Sequence, residues 1–228
     1  MKRSEINASI DHAMAFFEKM RFPLPPFAFW TPEEWENKGA ECDEIRDLGL
    51  GWDVTDFGSG DLSKIGRTIF TLRNGKARAD GYAKSYAQKV MCMHEGQKSV
   101  IHYHKSKMED IINQGGGNIL ITLWRAAKDN SLSDEAFDVA VNGIRRTIAS
   151  GETVRLAPGD SVYVPPYTYH KFWAEEGAGT ALSVEVSSVC DDYTDNFFLH
   201  AGERFPAIEE DEARRYYLCN EYPAARQT

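Results

Sequence analysis

From Gly51 onward the chain is written in short apolar runs separated by turn dipeptides, and this punctuation leaves few folds open. Asn74-Gly75 in "TIFTLRNGKARA" and Asn142-Gly143 in "FDVAVNGIRRTI" each sit between alternating residues. Both predict hairpins, because a two-residue type I′ turn needs positive φ at both central positions. Ser150-Gly151 and Pro158-Gly159 mark two further turns. The runs between them read as strands near 68–73, 86–94, 99–104, 108–113, 117–125, 137–141, 144–148, 152–156, 161–164, 169–174 and 180–188. Many short strands with no long helix between them imply an antiparallel sandwich or barrel. No internal repeat or low-complexity segment stands out.

Ahead of Gly51 the spacing is helical. Ile6, Ile10, Ala13, Met14 and Phe17 place one apolar stripe on a helix over 4–20. Three prolines within 23–26 then deny helical geometry, so 22–30 is expected to cross the surface as an extended, aromatic-rich segment. Thr31, Pro32 and Glu34 predict a second short helix: Thr31 caps, Pro32 suits the first helical position, and Glu34 completes a capping box. The expected organisation is a single domain, with 1–50 an N-terminal helical and extended arm packed on a barrel formed by 51–228 and its C-terminal tail.

A formal net charge of −9 with no run of basic residues argues against a nucleic acid or an anionic membrane as partner, since the whole-molecule field repels both. Cys42, Cys92, Cys190 and Cys219 are scattered, form no CxxC pair and are too sparse for a disulfide scaffold. Free thiols in a reducing cytoplasm are expected. The opening "MKRSEINASIDHAM" lacks the apolar core of an export signal, and no apolar run is long enough to span a membrane, so a soluble, unexported protein is expected.

Chemistry concentrates in "GQKSVIHYHKSKMEDIINQGGG", where His102, His104 and Glu109 fall within eight residues. Residues two apart on a strand project to one face, so a single ion can take both imidazoles. Glu109 lies beyond a short turn, where a returning strand can bring its carboxylate alongside. A His-x-His pair alone reads more readily as ordinary surface or core histidine. A third histidine, His170, occupies a second strand-turn-strand segment, "PGDSVYVPPYTYHKFW". Three imidazoles and a carboxylate suit a divalent first-row ion.

Both segments resemble the paired motifs of the cupin superfamily: Gly96, His102-x-His104, Glu109 and Gly116 in the first, Gly159, Pro165 and His170 in the second. Tyr167 stands where that pattern has glycine, and Ala174 where it has asparagine. The resemblance implies a mainly β, cupin-type double-sheet barrel (jelly roll) with short N-terminal helices, and His102, His104, Glu109 and His170 pointing inward onto one metal. Beyond the motifs, "LGLGWDVTDFG", "FTLRNG", "KMEDIINQGGGN", "VRLAPGDSVYVPP", "EVSSVCDDYTDN", "RFPAIEEDE" and "LCNEYP" resemble, in that order, the D-lyxose ketol-isomerase family. Cys190 and Gln114 depart from the asparagine and arginine that this family would place there.

That second resemblance implies interconversion of D-lyxose with D-xylulose and of D-mannose with D-fructose, a small neutral monosaccharide as the sole partner besides a second copy in a homodimer, and a divalent metal. Mn²⁺ leads; Co²⁺, Fe²⁺, Ni²⁺ and Zn²⁺ are compatible with the donors. Moving a carbonyl from C1 to C2 requires a proton to leave C2 and return to C1, with an ion on O1 and O2 stabilising the enediolate. The carrier must be a group not tied to the metal. By position in the family pattern Lys107 and Glu203 come first as the acid/base pair, with Glu185 third. Lys107 and Arg204 are the candidates to bind sugar oxygens.

Each candidate also has a plain reading: a solvated turn lysine, a surface-loop charge, or, for Glu185 in "SVEVS", a polar residue on an outer face. Trp124, Tyr103, Tyr169, Phe172 and Trp173 read more readily as core than as sugar platforms. Other chemistries compatible with the motifs are a cupin Fe(II) dioxygenase and a non-enzymatic sugar-binding cupin. A sugar-phosphate isomerase is disfavoured by the lack of a glycine-rich phosphate cradle.

Overall fold

The computed structural model of the chain describes residues 1–76, 81–200 and 202–225. Its strands are β1 (Gly51–Thr55), β2 (Arg67–Arg73), β3 (Tyr86–Met93), β4 (His102–His104), β5 (Glu109–Gly116), β6 (Ile119–Arg125) and β7 (Phe137–Val141). They continue as β8 (Ile144–Ile148), β9 (Thr153–Leu156), β10 (Ser161–Val164), β11 (Thr168–Ala174), β12 (Ala181–Ser188) and β13 (Asn196–Phe198). One sheet has eight strands in the order β1-β2-β3-β12-β5-β10-β7-β8, and the facing sheet has five in the order β13-β4-β11-β6-β9. Every pairing within these sheets is antiparallel. This is the cupin-type double-sheet barrel expected from the motifs.

Two apolar layers hold it together. Met91, Ile111, Ile121, Val162 and Phe172 pack between the sheets. On the outside of the large sheet, helix α1 (Arg3–Lys19) lays Ile6, Ile10, Ala13 and Phe17 against Trp52, Phe70, Val90 and Leu182. The β1–β2–β3–β12 end of that sheet is thus covered on both faces, and β1 is buried at every position. A strand covered on both faces carries no apolar/polar alternation, which is why β1 escapes a reading based on period. β13, three half-buried residues long, is too short to show one.

Phe70 is fully buried, with its ring 4.9 Å from Trp52 and 5.2 Å from Phe27, tying the arm to the sheet. Phe70→Leu keeps an apolar side chain but loses the ring contacts, and is expected to cost about 1–2 kcal/mol in urea unfolding.

The arm has the two expected helices and departs from the expectation in two places. The proline-rich crossing is not extended throughout: Pro26–Phe29 forms a 3-10 turn whose Ala28 carbonyl accepts the Trp52 indole N–H at 2.8 Å. α2 (Pro32–Trp35) begins with the expected Thr31/Glu34 capping box. A third short helix, α3 (Asp43–Asp47), leads into β1.

The two Asn-Gly signals part company. Asn142 and Gly143 have φ of 53° and 74° and join Val141 to Ile144 in a tight hairpin, as predicted. Asn74-Gly75 does not close one, and the next strand opens only at Tyr86. Asn74 is buried, and its amide donates to the Leu48 and Cys190 carbonyls while its oxygen accepts from the Gly75 and Cys190 N–H groups. Tertiary hydrogen bonding has taken over the residue that turn chemistry would use. The remainder of that expected hairpin lies in part outside the described residues.

Tyr167, standing where the cupin motif has glycine, sits at φ 59°, the left-handed region a glycine enters without strain. The turn geometry is kept despite the side chain. Its carbonyl accepts from the Ala126 N–H and its own N–H donates to the His104 carbonyl, which fixes the start of β11 against β4.

Candidate active site

The β4–β11 pairing sets His102 directly opposite His170, their rings 4.4 Å apart, and His104 follows on the same face of β4 with its ring 5.0 Å from that of His102. One donor nitrogen from each of the three lies within 4.8 Å of the others. Two of the rings are aimed by their own strands. His102 Nδ1 lies 3.0 Å from the Val100 carbonyl and His170 Nδ1 lies 3.1 Å from the Thr168 carbonyl. A ring nitrogen facing a carbonyl is a donor, so in both residues Nε2 carries the lone pair.

Glu109 reaches the same point from β5 in the facing sheet. Its Oε1 lies 3.0 Å from His170 Nε2 and 3.6 Å from His104 Nε2. Glu109 Oε1 is buried and accepts no hydrogen bond. A lone-pair nitrogen 3.0 Å from a carboxylate oxygen is repulsive unless a proton or a metal cation lies between them. That spacing matches neighbouring ligands at right angles on an ion with bonds of about 2.1 Å, which are about 3.0 Å apart. The donor set therefore fits a divalent ion. Burial pushes His102 down to about 3 and His104 well below its ordinary value, so both are neutral and ligand-ready at neutral pH.

Lys107, in the turn between β4 and β5, is buried and bridges two carboxylates: its Nζ lies 2.7 Å from Glu109 Oε2 and 2.8 Å from Glu185 Oε1. Burial alone would lower the Lys107 pKa, but Glu109 and Glu185 outweigh it and hold the group well above the usual lysine range. Lys107 is thus an ammonium. For Glu109 burial works upward and the Lys107 ammonium works downward more strongly, which keeps the carboxylate ionised. Glu185 is buried on the inner face of β12 with Ser183 and Ser187, while Val184 packs in the outer layer and Val186 is exposed.

Arg204 also lines this cavity, paired with Asp53 and, at 3.0 Å, with Asp192. Its Nη1 is buried without a hydrogen-bond partner, a donor left for an incoming oxygen. Glu203, one residue earlier, is not brought in. Its N–H is tied to the Phe57 carbonyl, its side chain lies over Gly58, and it is exposed. The adjacent residues on this loop point to opposite sides, and only the arginine enters the cavity. Of the five aromatics, only Phe172 lines it. Tyr103 and Tyr169 pack on the outer side of the small sheet with Phe197 and give their hydroxyls to Asn130.

Several residues unremarked in the sequence complete the site. Asp195 accepts from the N–H groups of Ser106 and Lys107 and from the Ser106 hydroxyl, pinning the turn that carries Lys107. Lys89 reaches Asp192 at 3.3 Å and Cys190 Sγ at 2.8 Å. Arg67 is fully buried, stacks over the Phe172 ring and donates to the Gly66, Gln97 and Phe172 carbonyls.

The ion-pair wall makes a pH prediction. Burial would raise Asp192, but Arg204, Lys89 and Lys107 outweigh it and hold the carboxyl well below the usual range. A depressed carboxylate pKa contributes stability that is complete above the unfolded-state value of about 4 and is lost as pH falls through the folded value. Thermal midpoints followed from pH 5 to pH 2 are expected to fall more steeply in the wild type than in Asp192→Asn. Parallel curves would show that Asp192 is not held in its charged form.

Fold and cavity together define a cupin-type barrel with three histidines and a carboxylate at its centre. A similar barrel is seen in the Cellulomonas parahominis L-ribose isomerase with L-ribose, at a TM-score of 0.61 and 17% identity, covering 92% of this chain and 98% of that one. At that identity the likeness speaks for the fold alone. The chain belongs to the D-lyxose isomerase family, whose model matches residues 1–222. It is 45% identical over 223 residues to the D-lyxose/D-mannose isomerases of Escherichia coli O157:H7 and Serratia proteamaculans, covering 97% of this chain and 98% of each relative. It is an aldose–ketose isomerase of a monosaccharide. Among the described residues no helix is long and apolar enough to cross a membrane.

Proposed function

We propose that this chain interconverts D-lyxose with D-xylulose and D-mannose with D-fructose, using a divalent ion held by His102, His104, Glu109 and His170. The unsatisfied Glu109 Oε1 facing a lone-pair imidazole nitrogen carries the metal part of the proposal. The relatives' activities support the sugar part. When bound, the ion supplies Lewis acidity that polarises the sugar carbonyl and stabilises the enediolate. Mn²⁺ is the ion we assign; the donor set has no thiolate and suits a first-row ion of moderate hardness.

Proton transfer falls to residues that hold no metal. Glu185, buried and hydrogen-bonded to Lys107, takes the proton from C2 and returns it to C1. Lys107, kept as an ammonium, donates a hydrogen bond to the substrate oxygen on which negative charge grows. Arg204 offers its free Nη1 to a sugar hydroxyl. These side chains line one cavity together with Phe57, Phe172 and Phe198. We read 1–50 as an arm and 51–228 as the barrel of a single domain, supported by the packing of α1 on the large sheet. We further assign a homodimer and a cytoplasmic location, the latter supported by four unpaired cysteines.

The test is ketose formation from D-lyxose and D-mannose under anaerobic conditions with Mn²⁺ present. Oxygen-dependent consumption of another substrate, with neither sugar converted, would move the protein to the dioxygenases. Glu185→Gln is expected to lower kcat about 10²–10⁴-fold, while Glu203→Gln stays near the wild type. The reverse pattern would assign the base to the loop carboxylate after all.

A further inference from the structure

A second cluster of metal-ligating side chains lies outside the barrel cavity. Along β3, Met91 and Met93 face the barrel interior while Val90 and Cys92 face α1, and His94 follows directly after the strand. His12 on α1 comes over this end of β3, its ring centroid 4.6 Å from that of His94. One donor atom each of His12, Cys92 and His94 lies within 4.8 Å of the other two.

We propose that His12, Cys92 and His94 form a second metal site, for a borderline-soft cation of the zinc class, that joins the N-terminal helix to the barrel. Two imidazoles and a thiolate are a set such cations take in tetrahedral sites, with the fourth position left to water. Donors around a tetrahedral zinc are about 3.3–3.6 Å apart, so a cluster whose donors lie within 4.8 Å of one another needs to tighten by no more than about 1.5 Å. His12 is exposed on a helix surface and can supply that movement by side-chain rotation. Cys92 is fully buried, so the ion would displace the thiol proton, which leaves to solvent. A surface groove lined by His12, Phe16, Gly116 and Gly179 adjoins the cluster and provides the approach for ion and water.

The two sites differ in one measurable respect: only this one has sulfur. Co²⁺ titrated into the chelator-stripped full chain is expected to produce a thiolate-to-cobalt charge-transfer band, saturating at one equivalent per chain where the barrel ligands have been removed. The band is expected to disappear in Cys92→Ser and in His12→Ala, and to persist in Cys190→Ser. It is also expected to persist in His102→Ala with His170→Ala, so that loss of the barrel site is read separately. The helix-surface change His12→Ala keeps the test valid if Cys92→Ser folds poorly. No sulfur band, or a band unchanged by His12→Ala, would overturn the proposal.

Discussion

Stripping the protein with a chelator is expected to lower aldose–ketose turnover by about 10³-fold or more, and added Mn²⁺ is expected to restore it. The magnitude follows from the several kcal/mol of charge stabilisation that a Lewis acid supplies to an oxyanion, each 1.36 kcal/mol being tenfold in rate. Lys107 supplies only part of that stabilisation, because Glu109 and Glu185 already share its charge. The fold should survive removal: His102 and His170 are fixed by strand pairing, and His104 is set on the same short strand. Circular dichroism is expected to be unchanged while the thermal midpoint falls by the linkage contribution of the bound ion. His170→Ala should reproduce the loss at micromolar metal. Full turnover in protein shown by elemental analysis to be metal-free would remove the ion from the mechanism.

Lys107→Met is expected to reduce kcat by about 10²–10⁴-fold with a smaller change in KM. The substitution removes a buried cation that two carboxylates share and that the proposed mechanism assigns to the reacting oxygen. It also leaves Glu109 and Glu185 without their common counter-charge, and neighbouring carboxylates that cannot both stay ionised raise the pKa of one. The alkaline shift of the pH–rate profile that follows is a signature a purely structural lysine would not give. Lys107→Arg retains charge but presents a larger planar group, and only partial recovery is expected. If Lys107→Met held kcat within a few-fold and left the pH profile in place, Lys107 would be a structural counter-ion only.

The barrel and the four candidate metal ligands were legible because their signals are local. His-x-His fixes a common face, one short turn returns Glu109, and a second strand supplies His170. Glu185 was readable for the same reason: alternation in "SVEVS" puts it on the face of Ser183 and Ser187. Glu203 and Arg204 show the limit. In a loop no period says which of two adjacent side chains enters a cavity. The wall formed by Asp53, Lys89, Asp192 and Arg204 was equally unreadable, since each residue alone resembles a surface charge and only the topology gathers them. Asn74 failed differently, its turn propensity overridden by hydrogen bonds to residues 48 and 190.

His102 and His170 take their aim from carbonyls two residues back on the same chain segment. The usual arrangement recruits a carboxylate or carbonyl from elsewhere in the protein to orient a ligating histidine. Here the aim of both candidate ligands is written into backbone carbonyls of their own segments. Mutation can therefore reshape the sugar-facing surface of this barrel step by step, exploring new substrates, while the chemistry at its centre is inherited intact.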